Sequence, residues 1–220
     1  MEVRKRRIGL IAIFAAFIAL AASAAEFTQP VTPTEHVSAV INEALTVLRD
    51  DSLDRESKWA KISEALHRHF DFRAMSQSML AKHWHSASDS DQHRFVEYFS
   101  QYLEVVYRDR IEVYTGQKIE YVDEQINGER ALVVIAIVGN SRRIPVAFRL
   151  RDNQGQWLAD DVVIDGISLI QNYKETFNAI EKAEGMEGLM DHMASKIAKY
   201  RERLGQRDDI AETITSPDTD

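Results

Sequence analysis

Reactive side chains are few in this 220-residue chain, and none falls at a spacing suited to covalent chemistry. Ser168 comes nearest. It stands in Gly166-Ile167-Ser168-Leu169-Ile170, whereas a nucleophile elbow needs a second glycine where Ile170 sits. The serine therefore reads as a helix-start hydroxyl beside Gly166. Asp160, Asp161 and Asp165 form an acidic run in which period two puts Asp161 and Asp165 on one face and Asp160 on the other. Solvated or capping carboxylates explain that run better than an acid–base pair does. Two histidine pairs, His67/His69 and His83/His85, are spaced two apart, so on a helix neither pair shares a face. No i,i+4 histidine pair or HExxH occurs, which predicts surface or capping histidines and no metal site. Cysteine is absent, which removes disulfides, thiolate zinc sites and cysteine nucleophiles together. The glycines stand singly at turns, so no phosphate loop is present, and no cofactor is expected. Lys118, Arg142 and Arg143 would gather near the sheet turns, as solvated strand-end charges or as a spot for a phosphate.

What the chain has in quantity is apolar surface in periodic order. Val37, Val40, Ile41, Ala44, Leu45 and Leu48 repeat at helical spacing after Thr34, a candidate cap. Asp54 opens a second helix with Trp59, Ile62 and Leu66, and Phe72 to Trp84 reads as a third. The Ser88–Asp91 cluster opens a long fourth helix with Phe95, Phe99, Leu103, Val106 and Ile111 on one side, ended by Gly116. The period then changes to two. Strands are expected at 117–124, 130–138, 143–151 and 157–164, joined by Asn127-Gly128, Gly139-Asn140 and Asn153-Gln154-Gly155. Short turns make this an antiparallel meander. After Asp165-Gly166 a helical run carries Ile167, Leu169, Ile170, Tyr173 and Phe177, and a terminal helix follows Gly185. The fold class is α+β: a four-stranded antiparallel sheet packed on several helices. Val133, Ile135, Val146, Phe148, Val162 and Ile164 would cover one sheet face, with Met75, Leu80, Trp84, Tyr107 and Tyr173 opposite on helices. Taken alone, that pattern describes an ordinary dry core.

The amino terminus reads as an address. Arg4 to Arg7 are basic, Ile8 to Leu20 is apolar apart from Gly9, and Ala22-Ser23-Ala24 offers small residues for cleavage. Residues 1–25 are thus expected to be a cleaved signal peptide, 26–204 one domain, and 205–220 an acidic disordered tail. Removing the leader's four basic residues and its one acid, Glu2, takes the formal net charge from −8 to −11. Such a surface repels nucleic acid and bare anionic bilayers.

One stretch is more specific than any of these patterns. Trp157, Asp161, Val162, Ile164, Gly166, Ser168, Leu169, Asn172, Tyr173 and Phe177 stand at fixed spacing across a strand–helix junction. With Phe70-Asp71-Phe72, Met75, Leu80, Trp84, Phe95, Phe99 and Tyr107, they make residues 30–200 resemble the MlaC/toluene-tolerance family of periplasmic phospholipid-binding proteins. Ala159 departs from the pattern, which tends to carry a larger apolar residue there. The resemblance implies a periplasmic, non-enzymatic carrier that shelters acyl chains in an apolar cavity between sheet and helices. It would exchange phospholipid with an outer-membrane lipoprotein complex and an inner-membrane ABC transporter with its substrate-binding ring, and so maintain outer-membrane lipid asymmetry. On that reading the cavity wall comprises Phe72, Met75, Leu80, Trp84, Tyr107, Val133, Ile135, Val146, Phe148, Val162, Ile164, Leu169 and Tyr173. The alternatives are a hopanoid or sterol-like cargo within the same family, a small pocketed α+β enzyme, and an interaction module with a solid core. A carrier's shelter must be deep: two bare chains of about sixteen carbons would cost roughly 25 kcal/mol in water. Release would then require sheet and helices to separate, with a hinge expected at Asp165-Gly166.

Overall fold

A computed structural model describes residues 31–112, 116–139 and 142–215, with no side chains described in 206–215; the expected leader lies outside these residues. Five helices come first: α1 (Pro33–Leu48), α2 (Arg55–His69), α3 (Phe72–Leu80), α4 (Lys82–Ser86) and α5 (Asp89–Glu112). The strands follow as β1 (Lys118–Asn127), β2 (Arg130–Val138), β3 (Arg143–Asn153), β4 (Gln156–Ile164) and β5 (Ile167–Ser168), and α6 (Leu169–Thr215) closes the chain. The sheet is antiparallel throughout, in the order β1-β2-β3-β4-β5.

Four local features differ from the sequence expectation. First, the sheet has five strands. Asp165 and Gly166 both take positive φ, 51° and 82°, and fold Ile167-Ser168 back onto β4 as a tight hairpin before α6 starts. Ile167 is therefore an exposed strand residue and does not belong to the helix. Second, the Phe72–Trp84 helix breaks at Ala81, whose φ is 49°. The break redirects the chain so that the Trp84 carbonyl accepts from buried Gln92, and Arg73 stacks 5.1 Å over the Trp84 ring. Third, α1 is capped by Thr32, two residues before the expected Thr34, which lies inside the helix. Thr32 Oγ1 accepts from Glu35 N while the Glu35 carboxylate accepts from Thr32 N, and Pro33 occupies the first helical position. Fourth, helix α6 continues to Thr215, well into the segment expected to be a disordered tail. Once Ile197 and Leu204 are buried, adding helical residues beyond them requires no new nucleation.

Gly185 interrupts α6 with φ 74°, so two helical arms meet there. A Cβ at Gly188 would lie 2.4 Å from the Glu184 Cβ, so this bend depends on a residue with no side chain.

Candidate functional site

Strand register gathers the expected sheet residues into two rows. Val133 on β2 faces Phe148 on β3, which faces Val162 on β4. Ile135, Val146 and Ile164 form the next row. Alternation sends all six to one face. There they join Ala131, Leu150, Trp157, Leu169 and the α1 residue Val37 in a single apolar cluster. Arg149 and Arg151, of opposite parity, lie on the other face with Asp161 and Asp160.

The helix residues divide. Phe72, Met75, Leu80 and Trp84 belong to a second cluster, with Phe95, Phe99, Phe177, Met190 and Met193. Met75, Leu80, Phe95 and Phe99 are fully buried there, inside protein. Tyr173 packs on this helical cluster at its edge, whereas Tyr107 and Phe70 touch both clusters. The seam between the clusters therefore lies at Tyr107 and Phe70. Ile41, Ile119, Ile137, Ile144, Phe148 and Ile164 also pack on the sheet cluster while remaining half-buried, as Leu66, Val96, Val106, Ile180 and Met186 do on the helical one.

Polar groups hold this seam in place. The Asp161 carboxylate, 6% exposed, accepts from Ser168 Oγ at 2.6 Å, Ile170 N at 3.3 Å and Arg149 at 3.0 Å. Ser168 Oγ in turn accepts from Gln171 N, so the serine caps α6 and its proton is committed to a structural carboxylate. Asp160 lies under Arg130 and Arg151; burial nonetheless raises its pKa. At the far edge of the seam Asp71 N donates to the Ala159 carbonyl at 2.9 Å, and Phe70 forms a β-bridge with Ala159. The small Ala159 side chain, the one departure from the family pattern, sits where another chain segment runs alongside. At the Asp165-Gly166 turn, where the hinge is expected, Asp165 pairs with Arg142 at the surface.

Sequence reasoning missed two groups of residues. His36 is buried, not superficial: its ring lies 4.9 Å from that of His69, and its Nε2 has no partner. Burial, reinforced by His69, lowers its pKa to about 4, and burial also lowers that of His69 against the pull of Glu43. Arg108 is likewise buried, held by Glu56 and Glu112 and stacked 5.2 Å from the Trp59 ring. Burial opposes the Arg108 charge, but the two carboxylates overcome it and raise its pKa. The His36–His69 and Arg108–Glu56 contacts join residues of separate helices, so spacing within one helix does not announce them, although Arg108 and Glu112 stand four apart on α5.

Two surface clefts lie elsewhere. One of about 260 Å³ is lined by Leu48, Arg55, Lys58, Trp59, Ile62 and Glu112. Another of about 360 Å³ is lined by His67, Phe72, Arg73, His93, Val96, Glu97 and Ser100. Neither includes a residue of the sheet.

The fold has a known counterpart. A phospholipid-binding protein from Ralstonia solanacearum, solved in complex with a phospholipid, superposes with a TM-score of 0.69 at 17% identity, over 76% of this chain and 97% of that one. The toluene tolerance protein ttg2D of Pseudomonas putida is 26% identical over 205 residues, 89% of this chain and 93% of its own length. The family model described as MlaC protein matches residues 38–195, the span that holds the sheet and most of both clusters. This chain belongs to the MlaC family.

Proposed function

We propose that this protein is a periplasmic phospholipid carrier that takes up both acyl chains along the seam between sheet and helices. The observation that carries this reading is a contrast in depth: nine side chains of the helical cluster are at most 1% exposed, whereas on the sheet side only Val133 and Leu150 are, and Phe148, Ile164 and Tyr107 stay half-buried. A chain that invests so much apolar area in an unfinished face gains most when hydrocarbon completes it. Membership of the MlaC family and the phospholipid bound to the Ralstonia relative point the same way.

The carrier would work by binding and release, without breaking bonds. Ser168 and Asp161, the residues that most resemble a catalytic pair, are committed to capping α6. Lipid contact is assigned to Tyr107, Phe148, Ile164 and Tyr173, backed by Val133, Ile135, Val146, Val162 and Leu169. Phe72, Met75, Leu80 and Trp84 would set the shape of the opposing wall from behind. Seating two chains requires sheet and helices to part, and the Asp71–Ala159 stitch would keep them joined on that side. Loading and unloading are assigned to protein partners, an outer-membrane lipoprotein complex and an inner-membrane ABC transporter with its ring. The acidic balance of the chain disfavours direct contact with anionic bilayers.

The test is native mass spectrometry on protein purified from the periplasm without added lipid. It should retain a two-chain phospholipid at near one copy per chain. Protein that carries no lipid, and takes none from vesicles in the presence of either partner, would refute the reading.

A further inference from the structure

The two edges of the sheet are finished differently. On the β4 side, β5 pairs with Val163 and Ile164, and Phe70 forms its bridge with Ala159. The β1 side has no such cover among the described residues. There β1 pairs with β2 alone, and no other backbone hydrogen bond reaches Lys118–Asn127. In an antiparallel pair every second residue turns its N–H and C=O away from the neighbouring strand, so β1 presents a row of backbone groups to any extended chain laid beside it.

The side chains of β1 suit such a guest. Tyr121, Val122 and Ile126 are 43%, 50% and 54% exposed, three of the five large apolar side chains exposed among the described residues. The register sets Tyr121 opposite Ile135, Glu124 opposite Val133 and Ile126 opposite Ala131, so a carboxylate stands between two apolar groups on the core-facing side. Asp123, opposite Val134, lies on the other side. The strand carries Glu120, Asp123 and Glu124 against Lys118 alone. Lys118 and Arg143 both pair with Glu120. Asp123 and Glu124 hold no cation among the described residues: Asp123 accepts from Gln125, and Glu124 accepts from Thr34 N at 2.7 Å.

That charge decides between guests. A second copy of β1 would bring the same surplus of carboxylates against itself, and the bulge between Tyr121 and Asp123 breaks the flat edge that self-pairing needs. The chain's own carboxyl end is acidic too, with Asp208, Asp209, Glu212, Asp218 and Asp220. We propose that β1 is a docking edge for an extended, basic segment of another protein, in which apolar residues are interleaved with lysine or arginine. The segment would continue the sheet beyond β1 through main-chain hydrogen bonds, lay apolar side chains beside Tyr121 and Ile126, and set its cations against Asp123 and Glu124. Main-chain pairing supplies affinity, and the charges choose the partner. This inference is independent of the lipid reading and holds whatever the seam contains.

The experiment is amide NMR with hydrogen exchange on the purified protein, titrated with the blocked peptide acetyl-Thr-Val-Lys-Lys-Thr-Val-Thr-amide. Controls are the same peptide with glutamate for both lysines, and the lysine peptide methylated on every amide nitrogen. The lysine peptide should shift the β1 amides and slow their exchange, and neither control should. Asp123→Lys should weaken the lysine peptide about tenfold and admit the glutamate peptide. Asp123→Asn, a near-isosteric surface change, should give a smaller loss in the same direction. Equal binding of the lysine and glutamate peptides, or shifts confined to other elements, would overturn the proposal. Undiminished binding of the methylated peptide would reduce it to adsorption by charge and overturn the strand. A dimer in sedimentation with protected β1 amides would assign the edge to a second copy, and slow exchange of those amides in the monomer without peptide would mean the chain covers its own edge; either result overturns the docking site.

Discussion

The helical cluster and the sheet cluster are built from the same kinds of residue yet are finished to different degrees. In the helical cluster Phe95, Phe99 and Phe177 interlock with ring centroids 5.9 to 6.4 Å apart, and each is at most 1% exposed. On the sheet, Val133 is fully buried but its neighbour Phe148 is not, and Ile119, Ile137, Ile144 and Ile164 share that half-burial. A helix-on-helix core can be completed by interdigitation within the chain. A sheet face covered by Val37 and Ile41 of α1 together with Phe70, Tyr107 and Leu169 keeps a half-buried margin. Both clusters keep a half-buried margin, so the difference is one of depth; on the proposed carrier reading the first region supplies stability and the second the apolar surface for lipid.

Substitutions should separate them too. The largest effect is expected at Phe177, which contacts Phe95, Phe99, Tyr102 and Tyr173. Phe177→Ala should cost about 3 to 5 kcal/mol in denaturant unfolding, with any lipid loss following the unfolded fraction. If this variant instead loses lipid while remaining fully stable, the helical region is not the dry one.

Acid should act next most strongly, and on the sheet side. His36 and His69 bind protons less readily when folded than when unfolded, so stability is complete above the unfolded value of 6.5 and falls as pH drops toward about 4. His36 faces His69 on α2, whose other neighbours are Glu43 and Arg68. Roughly 2 to 3 kcal/mol should be lost across that window, and His36→Gln should flatten the dependence. Hydrogen exchange should show α1 loosening before α5. A profile unaffected by His36→Gln would remove the histidine pair from the account.

Phe148→Asp should cost only about 1 to 2 kcal/mol because the side chain can reach water, yet it should strip the bound lipid, since a carboxylate beside hydrocarbon is unpaired. Full lipid load in the folded variant would mean the seam is not the wall. The smallest effect is expected from Thr32→Ala, which deletes one half of the α1 capping box at about 1 kcal/mol. Its loss should register in the exchange of α1 amides and leave the helical cluster unchanged.

Much of this division was legible in the sequence, for identifiable reasons. Strict alternation in Ile144–Leu150 and the turn dipeptides fixed the strands to within a few residues, and the register then brought together the six residues expected on one face. The two-residue β5 escaped because it is too short to show a period, although Asp165-Gly166 is itself a hairpin signal that went unused. The extent of α6 escaped because composition alone described its last residues as tail, whereas the buried Leu204 anchors the helix that leads into them. The division of the helix residues between two clusters was also hidden. Met75 and Tyr107 look alike in a helical pattern, but what lies across from each is settled by elements far along the chain. Depth of burial is a tertiary property, and the histidine pair and the Arg108–Glu56 contact were hidden for the same reason.

The unbroken order β1-β2-β3-β4-β5 also governs how the chain is assembled in time. Each pairing joins neighbours through a short turn, so the sheet can form from local contacts as soon as its residues are available. The helical cluster has no such shortcut, because Phe95 and Phe99 must wait for Phe177, Leu189 and Met193 on the last helix. The most deeply buried part of the finished protein is thus the part that needs the last helix to close it. Until it does, the long helix α5 has no partner for its aromatic face, and a chain stopped short of α6 would be prone to aggregate rather than serve as a smaller carrier.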